Sequence, residues 1–252
     1  MAGAVERLDD VINLLSEASR GATASEVALA LRTSRQAAVR LLDSMVGAAM
    51  VAKDEDSKRY RLTLKFFHWG SKAAARFIPP PSINQEMLAL AEEINGAVFY
   101  FTRDGLLVLG LERTDWKDGQ AVTIPYAGNL YHWSDSPFGR TLVAFSPPLE
   151  IERLLELEAY RGTSKAEMSA LEADLQGIRE RGFAERERQS SLHLYLAMAP
   201  ILDSSGYSAG LLIAMEPKDE VPENRPSLIA ALLNSASRCS ASLGHRPLVT
   251  TL

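Results

Sequence analysis

The sequence predicts an α+β protein made of two modules, a small N-terminal module and a larger C-terminal domain with a mostly antiparallel sheet. Three helical patterns followed by two β-type runs fill the first 62 residues. The proline run PPPS at residues 79–82 cannot continue a helix and marks a joint. Beyond it, hairpin patterns are interleaved with helical patterns, which favours an α+β domain.

The first two helices are predicted from apolar spacing and from a capping signature. Apolar residues from Val5 to Leu15 repeat at helical spacing, and the pattern stops near Gly21. Thr23 followed by Glu26 has the spacing of a capping box, so a second helix is predicted over residues 24–31.

The third helix is predicted to begin immediately afterwards. Thr33 followed by Gln36 has the same capping spacing, and Gly47 is the predicted stop. Only Arg32 then separates the second helix from the cap of the third, so the turn between them is tight.

A hairpin follows the three helices. The runs AMVAK and RYRLTL flank the polar DEDSK, which predicts a two-stranded wing. Three helices and a hairpin in this order are typical of a winged helix-turn-helix, assigned to residues 1–62. The segment LKFFHWGSKAAARFI predicts a linker helix, and with the proline joint it covers residues 63–81.

Residues 82–252 form the predicted C-terminal α/β domain. Helices are predicted at INQEMLALAEEING, SPFGRTLVAF, LEIERLLELEAY, KAEMSALEADLQGIRERG and from Leu228 to Leu243. Strands are predicted at AVFYFTRDGLLVLGLERT, as a hairpin around Arg103-Asp104-Gly105, and at QAVTIPYAG, LHLYLAMAPIL and YSAGLLIAMEP.

Charge is divided unevenly between the modules, although the whole chain carries −5. Residues 1–76 hold 12 basic and 9 acidic residues, a net charge of +3, which leaves −8 for the remainder. A basic first module and an acidic second one indicate different partners. No apolar run approaches the ~20 residues that cross a bilayer, and the N-terminus does not resemble a secretion signal, so a cytoplasmic protein without membrane contact is expected.

The third helix presents a polar face opposite a buried stripe. Ala38, Leu41, Leu42 and Met45 share the stripe. Arg and Gln are suited to guanine and adenine edges, a valine can meet a thymine methyl, and a helix N-terminus favours phosphate. The alternative from spacing alone is a solvated arginine face on an ordinary bundle. The candidate DNA-contacting residues are Ser34, Arg35, Gln36, Ala37, Val39 and Arg40 on the helix, with Lys58, Arg59 and Arg61 on the wing.

Catalytic and metal-binding patterns are absent from the sequence. There is no G-x-S-x-G, Walker A, H-E-x-x-H or dinucleotide fingerprint. Cys239 is the only cysteine and is expected in the core. The four histidines, at positions 68, 132, 193 and 245, form no i, i+4 pair. No enzyme, metal or cofactor is therefore expected. Glu152, Arg153, Glu156, Glu158 and the charge run 179–188 are interpreted as solvated helix faces.

The string SEVALALRTSRQAAVRLLDSMVGAAMVAKDEDSKRYRLT resembles the DNA-binding module of the isocitrate lyase regulator (IclR) family of bacterial transcription factors. The family pattern E-[LV]-A is matched by Glu26-Val27-Ala28, and the [RK]-x3-4-R-L-L helix by Arg35 with Arg40-Leu41-Leu42. The family's Y-R-L at the end of the wing is matched by Tyr60-Arg61-Leu62.

Two later segments resemble the same family, in the family's order. YAGNLYHWSDSPFGRTLVA is similar to G-x3-L-H-x-T-A-x-G-K-x-L-L-A through Gly128, His132, Gly139, Leu142 and Ala144, with Arg140 in place of Lys. RERGFAERERQSSLHLYLAMAPILDSSGYSAGLLIAMEP is similar to G-[YF]-A-x-[DE]-x-E and A-A-P-[VI]-x-[DN]-x2-G. The matching residues there are Gly182-Phe183-Ala184, Glu187, Ala199-Pro200-Ile201, Asp203 and Gly206.

The resemblance implies a two-domain regulator that binds double-stranded operator DNA and responds to a small-molecule effector. Members are dimers or tetramers, commonly paired through the N-terminal module and the linker, so a homo-oligomer is implied. A dimer also spreads recognition over two half-sites. A rival interpretation is a ligand sensor or interaction protein whose degenerate winged helix serves only dimerisation.

Departures from the family pattern point to the kind of effector. Leu196, Ile213 and Met215 stand where relatives often place small polar residues, and His193 stands where Gly is usual. The spacing between His132 and the next motif glycine is two residues longer than in the family pattern. Fewer hydroxyl partners disfavour a small, heavily hydrogen-bonded acid and favour an aromatic or hydrophobic acid-like metabolite.

The resemblance and these departures together nominate a set of effector-site residues. Tyr126, Trp133 or Phe138 is expected to stack on the ligand, and His132, Ser136 or Arg186 to anchor a polar group. The predicted set is Tyr126, Gly128, His132, Trp133, Ser136, Phe138, Arg186, His193, Leu196, Ile213 and Met215. The alternative is that the bulky members fill the pocket and no effector binds.

Overall fold

The computed structural model describes residues 3–117, 119–125, 130–189, 193–217 and 221–246. The chain divides into two compact units, Met1–Phe77 and Ile78–Leu252, which are described separately. No helix in the described part of the chain is long and apolar enough to span a membrane.

The N-terminal unit contains four helices and a small antiparallel sheet. The helices are α1 (Ala4–Glu17), α2 (Ala24–Ala30), α3 (Arg35–Gly47) and α4 (Lys65–Ala74). The strands are β1 (Ala22–Thr23), β2 (Val51–Lys53) and β3 (Arg59–Leu62), in the order β1-β3-β2. The predicted two-stranded wing therefore gains a third, short strand, which lies directly before α2.

One apolar cluster holds the first three helices against this sheet. Val11, Val27, Leu42 and Met45 are buried in it, and Tyr60 projects into it from β3. Gly21 joins α1 to β1 at a φ of +72°, and a Cβ there would lie 2.4 Å from the carbonyl oxygen of Tyr60. Only glycine fits this close approach of two backbones without strain.

The start of α3 differs from the predicted capping. Its N-cap is Ser34, whose Oγ accepts a hydrogen bond from the backbone N–H of Ala37 at 3.2 Å, so the Thr33–Gln36 capping box is wrong. The N–H of Thr33 instead donates to the carbonyl of Ala28, and Arg32 adopts φ +49°. This is the Schellman ending of α2, and it occupies the residue that the sequence assigned to the next cap. The predicted Thr23–Glu26 capping box is confirmed.

The C-terminal unit is built on a seven-stranded antiparallel sheet in the order β6-β5-β4-β10-β9-β8, with β7 paired to β5. The strands are β4 (Ala97–Asp104), β5 (Leu107–Lys117), β6 (Gln120–Pro125), β7 (Tyr131–His132), β8 (Ala184–Gln189), β9 (His193–Leu202) and β10 (Ser208–Pro217). The helices are α5 (Pro81–Ile94), α6 (Pro137–Ala144), α7 (Pro148–Tyr160), α8 (Lys165–Arg181) and α9 (Val221–Ser242).

Helices cover both faces of this sheet, which makes two apolar layers. On one face Met87 and Leu90 of α5 and Leu232 of α9 pack against alternate residues of β4, β9 and β10. On the other face Leu142 of α6 and Leu175 of α8 pack against the intervening residues. The α+β class and the mostly antiparallel sheet are thereby confirmed, and Cys239 is buried in the first layer as expected.

Three elements differ from the sequence-based prediction. The charge run 179–188 is not all helical, because β8 begins at Ala184 and pairs along β9. The short strand β7 was not predicted. The last helix begins at Val221 rather than at Leu228. In the first two cases the strand is fixed by pairing with a distant segment, which local periodicity does not report.

Gly139 generates a stability prediction, because it allows α6 to approach the preceding loop. A Cβ at Gly139 would lie 2.3 Å from the backbone oxygen of Trp133. The loop cannot relieve this clash by moving, because the indole of Trp133 is buried. We expect Gly139→Ala to lower the free energy of unfolding by about 1–3 kcal/mol, measured by urea denaturation. Gly47→Ala at the end of α3 is the matched control, since no atom other than its chain neighbours and its own helix backbone lies within 4 Å of its Cβ position. Equal stability of both variants would contradict the close approach.

Candidate functional site

The outer face of α3 carries the polar residues singled out by the sequence. Arg35, Gln36 and Arg40 are exposed there, while Ala38 and Leu42 on the inner face are fully buried. The helix is therefore fixed from one side and free on the other. The positive end of the helix dipole and the exposed guanidinium groups of Arg35 and Arg40 give this face a positive charge suited to a phosphate-bearing ligand.

Three other candidates on this helix are less open. Ser34 is exposed, and its hydroxyl is engaged as the N-cap. Ala37 is half-buried. Val39 is also half-buried and packs on the apolar cluster of the N-terminal unit, so only part of its side chain is available to a ligand.

The basic residues of the wing have different environments. The Arg59 Nη1 donates to the carbonyl of Gly21 at 2.8 Å and lies 3.3 Å from Glu26 Oε2. Arg59 thus ties β3 to the start of α2, and its side chain remains partly exposed, so its contact with DNA stays a prediction. Arg61 is exposed, and the exposed Lys58 pairs with Glu55 in the turn.

The pKa of the Glu26 carboxyl reflects its role at the start of α2. It is lowered, first by the backbone N–H and hydroxyl of Thr23 and then by Arg59. The carboxylate is therefore ionised at neutral pH and stabilises the helix N-terminus that precedes the turn into α3.

In the C-terminal unit, a cavity of about 290 Å³ lies where β7, the start of α6, β8 and β9 meet. We call it the α6 cavity. Its lining residues are Tyr131, Asp135, Ser136, Pro137, Phe138, Arg186 and Leu196. Four predicted effector-site residues are thus brought together: Ser136, Phe138, Arg186 and Leu196.

The wall of the α6 cavity combines an aromatic surface with a few polar groups. The rings of Tyr131 and Phe138 lie 5.3 Å apart, and Phe101 lies 4.8 Å behind Phe138. Ser136 is buried, and its Oγ accepts a hydrogen bond from the N–H of Gly139 as the N-cap of α6. An aromatic surface beside a guanidinium group and a hydroxyl is suited to a planar apolar ligand with an anionic or polar end.

Four other predicted effector-site residues do not line this cavity: Trp133, Ile213, Met215 and His132. Trp133 has no exposed surface and Ile213 is also buried, both in the apolar layer beneath α6. This corrects the expectation that the Trp133 indole stacks on a ligand. Met215 packs against the same layer, and His132 lies in a separate polar cluster. Tyr126 and Gly128 lie outside the described residues, as does the side chain of His193.

That polar cluster is centred on Arg161, which follows α7. Its guanidinium donates to both carboxylate oxygens of Asp135, at 3.0 and 2.7 Å, and to Glu158 Oε1 at 3.2 Å. It also reaches His132 Nδ1 at 3.2 Å and Ser134 Oγ at 3.3 Å. The bond from Arg161 holds the pKa of Asp135 below its usual range, and the same pairing raises the pKa of Arg161.

Glu158 corrects the interpretation of α7 as an entirely solvated charged surface. It has 4% of its surface exposed, and its Oε1 also accepts a hydrogen bond from Thr163 Oγ1 at 2.9 Å. A sequence signal for this burial exists: Ile151, Leu154 and Leu155 precede Glu158 at i, i+3 and i+4, and Glu158 completes their stripe at i+7.

Comparison with known proteins identifies what this chain is similar to. The family model described as "Bacterial transcriptional regulator IclR C-terminal" matches residues 83–241. The chain is 23% identical over 227 residues to the HTH-type transcriptional regulator KdgR of Escherichia coli (strain K12), covering 88% of this chain and 85% of KdgR. It is 24% identical over 251 residues to the HTH-type transcriptional regulator BhcR of Paracoccus denitrificans (strain Pd 1222), covering 97% and 88%.

A solved structure shares the fold. The IclR homolog from Microbacterium hydrocarbonoxydans, crystallised in complex with 4-hydroxybenzoate, superposes with a TM-score of 0.67 at 17% identity. The alignment covers 94% of this chain and 97% of the homolog.

The Arg161 cluster generates a second stability prediction. In Arg161→Met the Glu158 carboxylate stays buried but loses its guanidinium partner, so we expect the free energy of unfolding to fall by roughly 1–3 kcal/mol, measured by urea denaturation. Partial exposure of Arg161 to solvent keeps the loss within that range. Arg153→Met, on an exposed part of α7, is the control and is expected to be nearly neutral.

Adding Glu158→Gln to Arg161→Met removes the uncompensated charge, and the double variant is expected to recover part of the loss. A double variant that loses the full sum of the two single effects would contradict the coupling of these residues.

Proposed function

The chain belongs to the IclR family of bacterial transcriptional regulators, and we propose that its α3 helix binds operator DNA under the control of a small effector held by the C-terminal unit. The observation that carries the DNA proposal is the outward face of α3, where Arg35, Gln36 and Arg40 are exposed on a helix whose other side is locked into the core. Such a helix can enter a major groove without rearranging the unit that holds it.

We assign the three parts of the chain as follows. Residues 1–62 are the winged helix-turn-helix, 63–81 the linker, and 82–252 the effector domain. On α3, we expect Arg35 and Arg40 to read guanine and Gln36 to read adenine. Arg61 and Lys58 on the wing are placed to meet flanking phosphate, while Arg59 acts within the protein by holding the wing against α2.

Pairing of two copies fits the character of the linker helix. None of the residues of α4 is buried in the single chain, although it carries Phe66, Phe67 and Trp69. Leu64, directly before the helix, is also highly exposed. We propose that this apolar surface is covered in a homo-oligomer, which would present two α3 helices to two half-sites of operator DNA in the cytoplasm.

For the effector, we propose an aromatic acid bound in the α6 cavity. The rings of Tyr131 and Phe138 supply the stacking surface, and Arg186 with Ser136 supplies the polar anchors. The 4-hydroxybenzoate bound by the Microbacterium homolog has this combination of a ring and a carboxylate. The ligand changes operator affinity only to the extent that it binds the DNA-competent arrangement more or less tightly than the other.

The rival function is a ligand sensor whose winged helix only dimerises. It shares the effector domain with the first proposal but requires no DNA contact by α3. Binding of operator DNA by the full-length protein therefore separates the two.

The first functional prediction concerns Arg40. We expect Arg40→Ala to weaken binding to duplex DNA from the gene's own upstream region by about 1–3 kcal/mol if the side chain reads a base. Fluorescence anisotropy at several salt concentrations measures this, because wild-type affinity should fall as salt rises. Arg7→Ala on the exposed side of α1 is the control for a lost positive charge in the same unit.

If wild-type protein shows no salt-sensitive DNA binding, the rival function is favoured. If Arg40→Ala binds as tightly as wild type, Arg40 is removed from the contact surface.

The second functional prediction concerns the α6 cavity. We expect 4-hydroxybenzoate or a related aromatic acid to raise the melting temperature of the full-length protein, because a ligand of the folded state stabilises it by mass action. Phe138→Leu keeps the apolar bulk but removes the ring, and Arg186→Gln removes the cation. Each should weaken binding about tenfold by calorimetry. An unchanged melting temperature with every member of a broad set of aromatic acids would contradict this effector class.

A further inference from the structure

A second cavity, of about 540 Å³, shares the lining residue Asp135 with the α6 cavity. We call it the α8 cavity, because α6, α7 and α8 supply its walls. Four carboxylates and two guanidinium groups line it, together with the apolar Ala170 and Leu171. Its chemistry therefore differs from that of the aromatic α6 cavity, and it needs a different ligand.

Both guanidinium groups in the α8 cavity already have carboxylate partners. Arg161 pairs with Asp135, at 2.7 Å, and with Glu158. Arg140 Nε lies 2.9 Å from Asp174 Oδ2, an ion pair whose geometry does not make a hydrogen bond. The lining thus carries two more carboxylates than guanidinium groups. This excess disfavours an anion and favours a positively charged ligand.

One buried carboxylate oxygen in the wall accepts no hydrogen bond among the described residues. Glu158 is 4% exposed, and its Oε1 is bonded to Arg161 and Thr163, but within the described part of the chain no group donates a hydrogen bond to its Oε2. A buried charged acceptor without a donor is costly, so Oε2 marks a position where a donor from a ligand would be stabilising.

His132 does not supply that donor in this arrangement. Its Nδ1 lies 3.7 Å from Glu158 Oε2, beyond hydrogen-bond distance. The same nitrogen lies 2.9 Å from Ser134 Oγ and 3.2 Å from Arg161 Nη1, so its nearest polar partners are these two groups.

We propose that the α8 cavity is a binding site for a small organic ammonium ion. The ammonium group donates to Glu158 Oε2 and is balanced by the excess negative charge of the lining, while its methylene groups lie over Ala170 and Leu171. An ammonium ion is favoured over a metal ion because, among the residues that the structure describes, no three acidic, histidine or cysteine side chains are grouped to ligate a metal. The site does not depend on DNA or on an effector.

The test is calorimetric titration of full-length protein with putrescine at low salt and near neutral pH. We expect saturable binding that salt weakens. The fully N-methylated analogue of putrescine, with a trimethylammonium group at each end of the same four-carbon chain, carries the same two charges but has no N–H donor, so its binding should be weaker by about tenfold or more. Equal binding of the two ions would show general charge screening and overturn the proposal.

Matched variants locate the site. Glu158→Gln is expected to weaken putrescine binding about tenfold, while Glu156→Gln, exposed on the same helix, should leave it unchanged. If thermal melting shows that Glu158→Gln is unfolded, the half-exposed Asp174→Asn replaces it and should weaken binding by a few-fold. No binding by wild type, unchanged binding by the folded variants, or displacement of putrescine by equimolar Mg²⁺ would each overturn the ammonium site.

Discussion

Burial of both faces of the C-terminal sheet is the constraint on which the rest of that unit depends. The run from Ala97 to Thr102 in β4 is buried residue after residue, as is Leu211–Ala214 in β10. A central strand of a sheet that is buried on both faces needs apolar residues on both faces, and each face must be covered by helices. The pair α5 and α9 therefore closes one face, and α6 with α8 closes the other.

The second of these layers explains where the candidate sites lie. Helix α6 reaches the sheet only because Gly139 lets its first turn lie against the backbone of Trp133, whose indole fills the layer beneath. The same contact leaves Ser136 and Phe138 at the rim of the layer, beside β8 and β9. Ligand-sized space and polar groups are consequently found at this rim, while the interior of the layer is filled by apolar side chains.

The elements that the sequence predicts well are those determined locally or by strong periodicity. The capping box of α2 needs only Thr23 and Glu26, and the buried strands β4 and β10 are apolar runs bounded by turns. Strand β8 was missed because AERERQ has no apolar alternation and is fixed by its pairing with β9. The site follows the same division. Phe138 and Arg186, which line the α6 cavity, were nominated with the help of a family resemblance. Trp133 was nominated for its aromatic ring, which is instead buried in the core.

The polar cluster shows why spatial neighbours were harder to predict than elements. Asp135 and Arg161 are separated by 26 residues, and only the packing of α6, α7 and the turn after α7 brings them together. Glu158 was assigned to solvent by its charge, although its position in the stripe of α7 indicated burial. Its charge predicted exposure and its position predicted burial. The structure has it buried, with Arg161 and Thr163 donating to one of its two carboxylate oxygens.

The loop from Tyr131 to Ser136 connects these observations. Asp135 lines both the α6 cavity and the α8 cavity, and its carboxylate is held by Arg161 through two hydrogen bonds. A ligand that alters this pair in one cavity changes the wall of the other. By thermodynamic linkage, any effect of an ammonium ion on aromatic-acid affinity must equal the effect of the acid on ammonium affinity. The segment in which the spacing is two residues longer than in the family pattern therefore lies beside both proposed ligand sites.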